Sequence, residues 1–272
     1  MKDRSLLDIV RKRAGHCRSI ALFLDYDGTL VPIRKDPSRC FLPEKVKEDI
    51  RMLSRSRRFF LCILSGRSLG DIKKLVGIKS ICYGGNHGLD ISGPGIRYTN
   101  PLALKARPTI RMVKRELEKE IEIIEGAWIE DKKFTFTLHF RAVKKEDIPA
   151  VEKALERVTA GCRKKEPLSI IKGKKVLELC PDAAWNKGRA ALWILKRLKG
   201  GYLPVYIGDD QTDETAFKVF RKDGVTIRVG RSKRTSARYC VKGRLEILMF
   251  LDQMRKIAEA EGRFPLPLSK KS

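Results

Sequence analysis

The chain has 272 residues, of which 42% are hydrophobic and 34% are charged, and its formal net charge is +26. This length and hydrophobic content are sufficient for a substantial core, in one large or two modest domains. No stretch approaches the ~18 consecutive apolar residues of a membrane-spanning helix, and residues 1–14 lack the apolar segment of a signal peptide. We therefore expect a cytoplasmic protein without a membrane segment.

The strongly positive charge is compatible with nucleic-acid binding. However, the sequence has no zinc-finger or RNP pattern, and its basic residues are spread over many predicted helices, with one short basic cluster at residues 228–238. Solvated helix faces, together with attraction for a phosphorylated substrate, explain the charge about as well. A nucleic-acid partner is therefore not expected, although a basic nucleic-acid-binding protein remains the alternative.

The first predicted strand ends in two closely spaced carboxylates. The short apolar run Ile20–Leu24 predicts a buried parallel strand, followed by Asp25, Asp27 and Gly28. A spacing of two directs both carboxylates to one side, at the strand end where open α/β sheets bind ligands. Because adjacent carboxylates repel, the pair predicts Mg²⁺, a cation that prefers oxygen ligands. The alternative is an ordinary Asp-Gly turn.

Two further strands end in polar, glycine-containing loops. Phe59–Leu64 predicts a second buried strand, followed by Ser65–Arg67, where a hydroxyl and turn amides can bind a phosphate. Ile81–Tyr83 predicts a third, followed by Gly84–Gly88, whose three glycines let the backbone approach a ligand closely. His87 in this loop is either a ligand contact or a structural hydrogen-bonding residue.

Residues 105–180 predict a separate inserted domain with an αββαββ order. Its predicted helices and strands are Lys105–Glu125, Ala127–Glu130, Phe134–Phe140, Lys145–Thr159, Leu168–Lys172 and Lys175–Cys180. The second strand alternates apolar and polar residues, so one face should pack and the other should meet solvent or substrate. The main domain is then formed by residues 1–104 and 181–272.

The chain after Pro181 repeats the pattern of polar residues at strand ends. Lys187 opens a helix, where a cation is unfavourable unless it shares an anion with the helix amides; an exposed surface lysine is the alternative. Leu203–Ile207 predicts another buried strand, followed by Asp209, Asp210 and Asp213, which repel one another without a metal ion. With a last strand at Gly224–Val229, the chain predicts an α/β fold with a doubly wound parallel sheet.

Four of these segments together carry a family resemblance. Asp25–Leu30 resembles the first motif of the haloacid-dehalogenase-like (HAD) phosphatases, and Ser65, Lys187 and Gly208–Glu214 resemble the second, third and fourth. A finer resemblance is to the trehalose-6-phosphate phosphatase family, carried by five segments: Leu64–Arg67, Gly85–Gly88, Gly173–Glu178, Trp185–Gly188 and Gly208–Glu214. One departure is Cys180 before Pro181, where a basic residue is expected.

The resemblance implies a HAD-like Rossmannoid core with an inserted α+β cap domain. It also implies Mg²⁺-dependent hydrolysis of trehalose 6-phosphate through an aspartyl phosphate, by a protein that we expect to be a monomer. One alternative is another capped phosphatase, acting on mannosyl- or glucosyl-phosphoglycerate or on a sucrose phosphate. A phosphomutase, which uses the same nucleophile, is a further alternative.

The same resemblance implies roles for individual residues. Asp25 is the expected nucleophile and Asp27 the general acid/base, while Ser65 and Lys187 hold the phosphoryl group. The expected metal ligands are Asp25, Asp27, Asp209, Asp210 and Asp213, with direct and water-mediated binding both open for the last two. The expected substrate-binding residues are Gly66, Arg67, Asn86, His87, Glu130, Lys132, His139, Arg141, Lys174 and Glu178; pairing of Lys174 with Glu178 is the alternative for those two.

Overall fold

A computed structural model describes residues 5–14, 19–34, 36–162, 167–173 and 175–262, with backbone only for the last two residues. By its internal contacts the chain divides into two units. We call Met1–Arg97 with Asn186–Ser272 the core unit, and Tyr98–Trp185 the inserted unit. The sequence-based boundary at residue 104 falls within a helix that starts at Pro101.

The described strands, in chain order, are β1 (Ser19–Leu24), β2 (Phe59–Leu64), β3 (Cys82–Gly85), β4 (Asp90–Gly93), β5 (Ile96–Thr99), β6 (Trp128–Asp131), β7 (Phe136–His139), β8 (Leu168–Gly173), β9 (Val176–Pro181), β10 (Tyr202–Gly208), β11 (Val225–Val229) and β12 (Tyr239–Val241). The described α-helices are α1 (Leu6–Ala14), α2 (Glu44–Arg55), α3 (Leu69–Val76), α4 (Pro101–Ile121), α5 (Ile148–Ala160), α6 (Lys187–Leu195), α7 (Glu214–Phe220) and α8 (Arg244–Gly262). Among the described residues, no helix is both long enough and apolar enough to cross a membrane.

The larger sheet has the strand order β12-β11-β10-β1-β2-β3-β4-β5 and is centred on β1. This strand pairs in parallel with β10 on one side and β2 on the other. Both of its faces are covered: Leu22 and Leu24 belong to the main hydrophobic cluster, while Phe23 stacks on Tyr206 and Phe220 on the opposite face. Burial of each such side chain contributes roughly 1.5–3 kcal/mol, which explains why β1 is apolar from Ile20 to its end. The predicted α/β fold with a parallel sheet is confirmed.

The inserted unit contains a smaller antiparallel sheet with the order β6-β7-β9-β8. One face of this sheet forms a separate hydrophobic cluster with the two helices of the unit, including Val113 and Leu117 of α4 and Phe136 and Leu138 of β7. The element order, α4-β6-β7-α5-β8-β9, is the αββαββ order expected from the sequence. The opposite face carries the polar residues of the alternating strands.

Two predicted details are corrected by the structure, and one strand is added. Helix α4 begins at Pro101 rather than at Lys105, because the Asn100 side chain accepts from the amides of Leu102 and Ala103 and caps the earlier start. Strand β7 ends at His139, so Arg141 lies in the exposed turn that follows rather than on the polar strand face. Strand β12, which is only three residues long, was not predicted.

Candidate active site

Three polar residues of the core unit follow directly after neighbouring parallel strands. Asp25 follows β1, Ser65 follows β2 and Asp209 follows β10. The register places Leu24, the last residue of β1, opposite Ile63 and Ile207. Because the carboxyl ends of parallel strands meet at one edge, this register brings residues distant in the chain to a common site.

A buried ammonium lies among three carboxylates at this edge. One oxygen from each of Asp25, Asp209 and Asp213 lies within 4.8 Å of the others. Lys187 Nζ, at the first residue of α6, donates to Asp25 Oδ1 at 2.5 Å and to Asp213 Oδ1 at 2.9 Å. Lys187 is therefore a buried member of the cluster rather than a surface residue. Three carboxylates against one ammonium leave an excess of negative charge.

The pKa values of the cluster have identifiable causes. Burial raises the pKa of Asp25 well above its ordinary value; Lys187 opposes this rise, and Asp213 and Asp209 add to it. Burial and then Asp213 raise the pKa of Asp209 to about 6. For Lys187, burial acts to lower the pKa, but the two carboxylates outweigh burial and raise it, so the ammonium stays charged. This donor set fits a divalent cation that prefers oxygen ligands, since such an ion would offset the repulsion between carboxylates.

The loop after β1 shapes the position of Asp209. Gly28 has φ +88°, and a Cβ at this residue would lie 2.1 Å from Asp209 Oδ2, so only glycine fits there. Thr29, which is fully buried, donates from Oγ1 to Asp209 Oδ1 at 3.2 Å. Thr29 was not among the predicted site residues; its one signal in the sequence was its place directly after Gly28.

Asp213 and Asp210 differ sharply in their surroundings. Asp213 is buried; its Oδ1 accepts from Lys187 and from the Tyr206 hydroxyl at 2.8 Å, and its Oδ2 accepts from the amides of Asp209 and Asp210. Four donors therefore occupy this carboxylate, which suits it to hold Lys187 and the loop in place. Asp210 is exposed and lies outside the carboxylate cluster found among the described residues. Tyr206, within an otherwise apolar strand, gave no sequence signal of this contact.

Asp27 is held by an arginine of the same unit. Arg67 Nε donates to Asp27 Oδ2 at 2.6 Å and Nη2 donates to Oδ1 at 2.7 Å. Arg67 Nη1 also bonds Asp71 at 3.1 Å and the carbonyl of Pro37 at 2.9 Å. The Arg67 side chain is only 7% exposed, against 34% for Asp27. This geometry favours orientation of Asp27, rather than the substrate contact expected for Arg67.

The glycine-rich loop after β3 supports the turn after β2. The amide of His87 donates to the carbonyl of Ser65 at 2.9 Å, and that of Asn86 donates to the carbonyl of Arg67 at 2.7 Å. Asn86 and His87 both have left-handed backbones, with φ of 49° and 56°, a strain of order 1–3 kcal/mol per residue. A Cβ at Gly66 would lie 2.7 Å from the His87 ring. These contacts shape the turn that presents Ser65, whose Oγ accepts from the amide of Arg67.

Within the inserted unit, four predicted substrate-binding residues lie on one face of the small sheet. His139 Nε2 and Glu130 Oε2 are 2.9 Å apart, and Lys132 Nζ donates to Glu178 Oε2 at 3.3 Å. Glu178 is thus paired with Lys132, and not with Lys174 alone as considered from the sequence. Lys174 lies outside the described residues.

Thr137 completes the row between the two acidic residues of this face. The strand register places it opposite Glu130 on one side and Glu178 on the other. Thr137 is buried, and its hydroxyl oxygen has no hydrogen-bond partner among the described residues. The face therefore combines one ion pair, one hydrogen-bonded histidine and glutamate, and a hydroxyl, all of them groups that can bond polar ligands.

Comparison with known proteins identifies the family. Residues 23–244 match the protein family described as Trehalose-phosphatase. Trehalose 6-phosphate phosphatase RA3 of Zea mays is 37% identical over 269 residues, spanning 92% of this chain and 72% of that protein. Trehalose-phosphate phosphatase B of Arabidopsis thaliana is 36% identical over 265 residues, spanning 91% and 68%.

Solved structures share the fold. The C-terminal domain of trehalose-6-phosphate phosphatase from C. albicans superposes with a TM-score of 0.76 at 22% identity, covering 94% of this chain and 99% of that one. A trehalose-6-phosphate phosphatase related protein gives a TM-score of 0.77 at 24% identity, covering 89% and 99%. With the family match spanning most of the chain and relatives above one-third identity, this chain belongs to the trehalose-phosphatase family.

Proposed function

We propose that this protein hydrolyses trehalose 6-phosphate to trehalose and phosphate, with Mg²⁺ as cofactor and an aspartyl phosphate on Asp25 as the intermediate. The observation that carries the proposal is the placement of Asp25 at the end of the central strand, bonded to Lys187 and close to Asp209 and Asp213. The family membership and the activities named for the relatives support trehalose 6-phosphate as the substrate.

In the first step, the Asp25 carboxylate attacks phosphorus and the bond from phosphorus to the sugar oxygen breaks. Asp27, in its acid form, donates a proton to the leaving oxygen. Ser65 can donate its hydroxyl to a phosphoryl oxygen, and the Lys187 ammonium neutralises charge on the nucleophile and on the phosphoryl group. The products of this step are the free sugar and the phosphorylated Asp25.

In the second step, Asp27 removes a proton from water, and the resulting hydroxide attacks phosphorus. The bond between Asp25 and phosphorus breaks, so the carboxylate is restored and inorganic phosphate leaves. Arg67 donates to both oxygens of Asp27, and these bonds weaken when the carboxyl carries its proton, because the acceptor is then no longer charged.

For Mg²⁺, the ligands that we propose are the carboxylates of Asp25 and Asp209 together with the backbone carbonyl of Asp27. When bound, the ion would neutralise the oxygens of the nucleophile and of the phosphoryl group. The four donors on Asp213 favour a role in holding Lys187 rather than direct metal binding. The exposure of Asp210 argues against its direct binding as well.

Sugar recognition is assigned by this proposal to the polar face of the inserted unit, with Glu130, Lys132, His139 and Glu178 as hydroxyl contacts. Charge-assisted bonds to sugar hydroxyls are worth about 1.5–3 kcal/mol each. The monomeric state and the cytoplasmic location expected from the sequence stay predictions.

The test is phosphate release from a panel of substrates, with and without Mg²⁺. The panel contains trehalose 6-phosphate, a sucrose phosphate, mannosyl- and glucosyl-phosphoglycerate and glucose 6-phosphate. We expect the highest kcat/KM with trehalose 6-phosphate, no turnover after chelation, and no turnover by Asp25→Asn. Asp210→Asn is the matched control and should stay active. A higher kcat/KM with another member of the panel would identify that compound as the substrate in place of trehalose 6-phosphate. Turnover by Asp25→Asn would exclude the mechanism.

A further inference from the structure

Trp128, the first residue of β6, is 48% exposed and was not among the predicted site residues. Its side chain shares a face with His139, its register partner in β7, and therefore lies on the polar face of the small sheet. Tryptophan is highly buried on average, and ligand sites are commonly lined by aromatic side chains together with a few polar groups.

The orientation of the Trp128 ring is set by its neighbours. The indole and the His139 imidazole stack with centroids 4.0 Å apart and an interplanar angle of 5°. The imidazole is in turn hydrogen-bonded to Glu130 at 2.9 Å. One face of the indole is thus covered by the imidazole, so its exposure lies on the remainder of the ring. Such a fixed ring loses little conformational entropy when a ligand binds.

The surroundings of the indole indicate the chemistry of its ligand. Lys132 is paired with Glu178, and Glu130 is hydrogen-bonded to His139, so each charged group on this face already has a polar partner. Such a face attracts neither a free phosphate nor a nucleic-acid backbone strongly. A neutral ligand with many hydroxyls suits it better, since each hydroxyl both donates and accepts.

The spacing also fits a single sugar ring. Glu130, on the same strand as Trp128, and Thr137, on the neighbouring strand, lie in the row next to that of Trp128 and His139. Glu178 in that row is two strands away from Trp128. Rows on one face are two residues apart, or about 7 Å at the usual rise along a strand. A hexose stacked on the indole can therefore reach hydroxyl partners in the adjacent row.

We propose that Trp128 is a stacking platform that binds the apolar face of one hexose ring of the substrate. Glu130 and His139 hold the platform in place, and Glu130, in the adjacent row of the same strand, is the nearest partner for a hydroxyl of the same ring. This inference rests on the proposed function for the identity of the sugar, and it adds a specificity-determining residue to the inserted unit.

The kinetic test compares Trp128→Ala and Trp128→Phe with the wild-type protein. We expect Trp128→Ala to lower kcat/KM for trehalose 6-phosphate about tenfold, mostly through KM, and Trp128→Phe to restore most of it. Turnover of β-glycerol phosphate, which has no ring, should stay unchanged in both variants. Trp193→Ala is the matched control, since Trp193 lies in α6 under the Arg197 guanidinium and should have no effect on either substrate.

A binding test does not depend on turnover. The chain has three tryptophans, so replacement of Trp185 and Trp193 by Phe leaves Trp128 as the single indole reporter. We expect trehalose to change its fluorescence in a saturable manner and inorganic phosphate to leave it unchanged.

The outcomes separate the two proposals. If the wild-type protein fails to hydrolyse trehalose 6-phosphate, the proposed function is wrong, and the fluorescence titration still tests the platform. If the wild-type protein hydrolyses it and Trp128→Ala is equally active, the platform is wrong and the proposed function stands. An equal loss of kcat/KM for β-glycerol phosphate in Trp128→Ala would also overturn the proposal that Trp128 is a stacking platform. A fluorescence response to phosphate alone would overturn it as well.

Discussion

Replacement of Asp209 by Asn should stabilise the metal-free protein while it abolishes activity. The carboxylate of Asp209 lies close to those of Asp25 and Asp213, so removal of its charge lowers the repulsion in the cluster. Asn has nearly the same shape, and its amide oxygen can still accept from Thr29. We expect this gain only in the absence of a divalent cation.

The size and the pH dependence follow from the pKa of Asp209, which is raised from 3.8 to about 6. In the metal-free protein, the folded state then binds a proton more tightly than the unfolded chain. Stability is therefore lost as pH rises from about 4 to about 6, and the loss is complete above that range. The difference in pKa corresponds to at most about 3 kcal/mol. Asp209→Asn should thus be more stable by about 1–3 kcal/mol at pH 7.5, and equally stable near pH 3.5.

The assay is thermal unfolding in a chelator at several pH values. For a chain of this size the gain corresponds to a rise in Tm of roughly 2–6 °C. Mg²⁺ at about 1,000 times its Kd should reverse the order, since a ligand at that concentration adds ~4.1 kcal/mol to the wild-type protein and little to the variant. Asp210→Asn is the matched control and should change neither Tm nor its Mg²⁺ response. A metal-free Asp209→Asn protein no more stable than wild type at pH 7.5 would refute the reasoning.

Two further substitutions test residues that hold the site together. Tyr206→Phe removes one hydrogen bond to the buried Asp213 carboxylate. We expect the free energy of unfolding to fall by about 1–2 kcal/mol and kcat to fall about tenfold. Unchanged kinetics would show that this bond is dispensable. Arg67→Lys keeps the charge but loses the bidentate contact with Asp27. We expect kcat for trehalose 6-phosphate to fall about tenfold, with KM within about threefold of the wild-type value. A change confined to KM would instead indicate that Arg67 contacts the substrate.

The sequence allowed prediction of those parts of the site that follow from strand patterns. Apolar runs end directly before Asp25, Ser65 and Asp209, and parallel pairing then requires these strand ends to share an edge. Lys187 was predicted to hold an anion because a cation at a helix start is otherwise unfavourable, and its assignment to this site came from the family resemblance. The order of the elements in the inserted unit followed from the same periodicities.

The contacts that hold these residues were not predictable from local patterns. Thr29 and Tyr206 reach their acidic partners only through the packing of strands distant in sequence, and each belongs to a segment whose pattern already had another explanation. Arg67 stood in a loop suited to phosphate binding, and its pairing with Asp27 depends on the distance between two neighbouring loops. The exposure of Trp128 on the polar face could not be predicted, because an aromatic residue in a strand ordinarily packs in the core.

The central position of β1 has a consequence for synthesis of the chain on the ribosome. One edge of β1 pairs with β2, which is made soon afterwards, but its other edge pairs with β10 at Tyr202–Gly208. The entire inserted unit is synthesised between these two strands. Until β10 emerges, β1 presents a row of unpaired backbone groups, the kind of edge at which nascent chains aggregate. The inserted unit, with contiguous residues and its own hydrophobic cluster, can fold during this interval. The catalytic edge can form only afterwards, when Lys187 and Asp209 join Asp25.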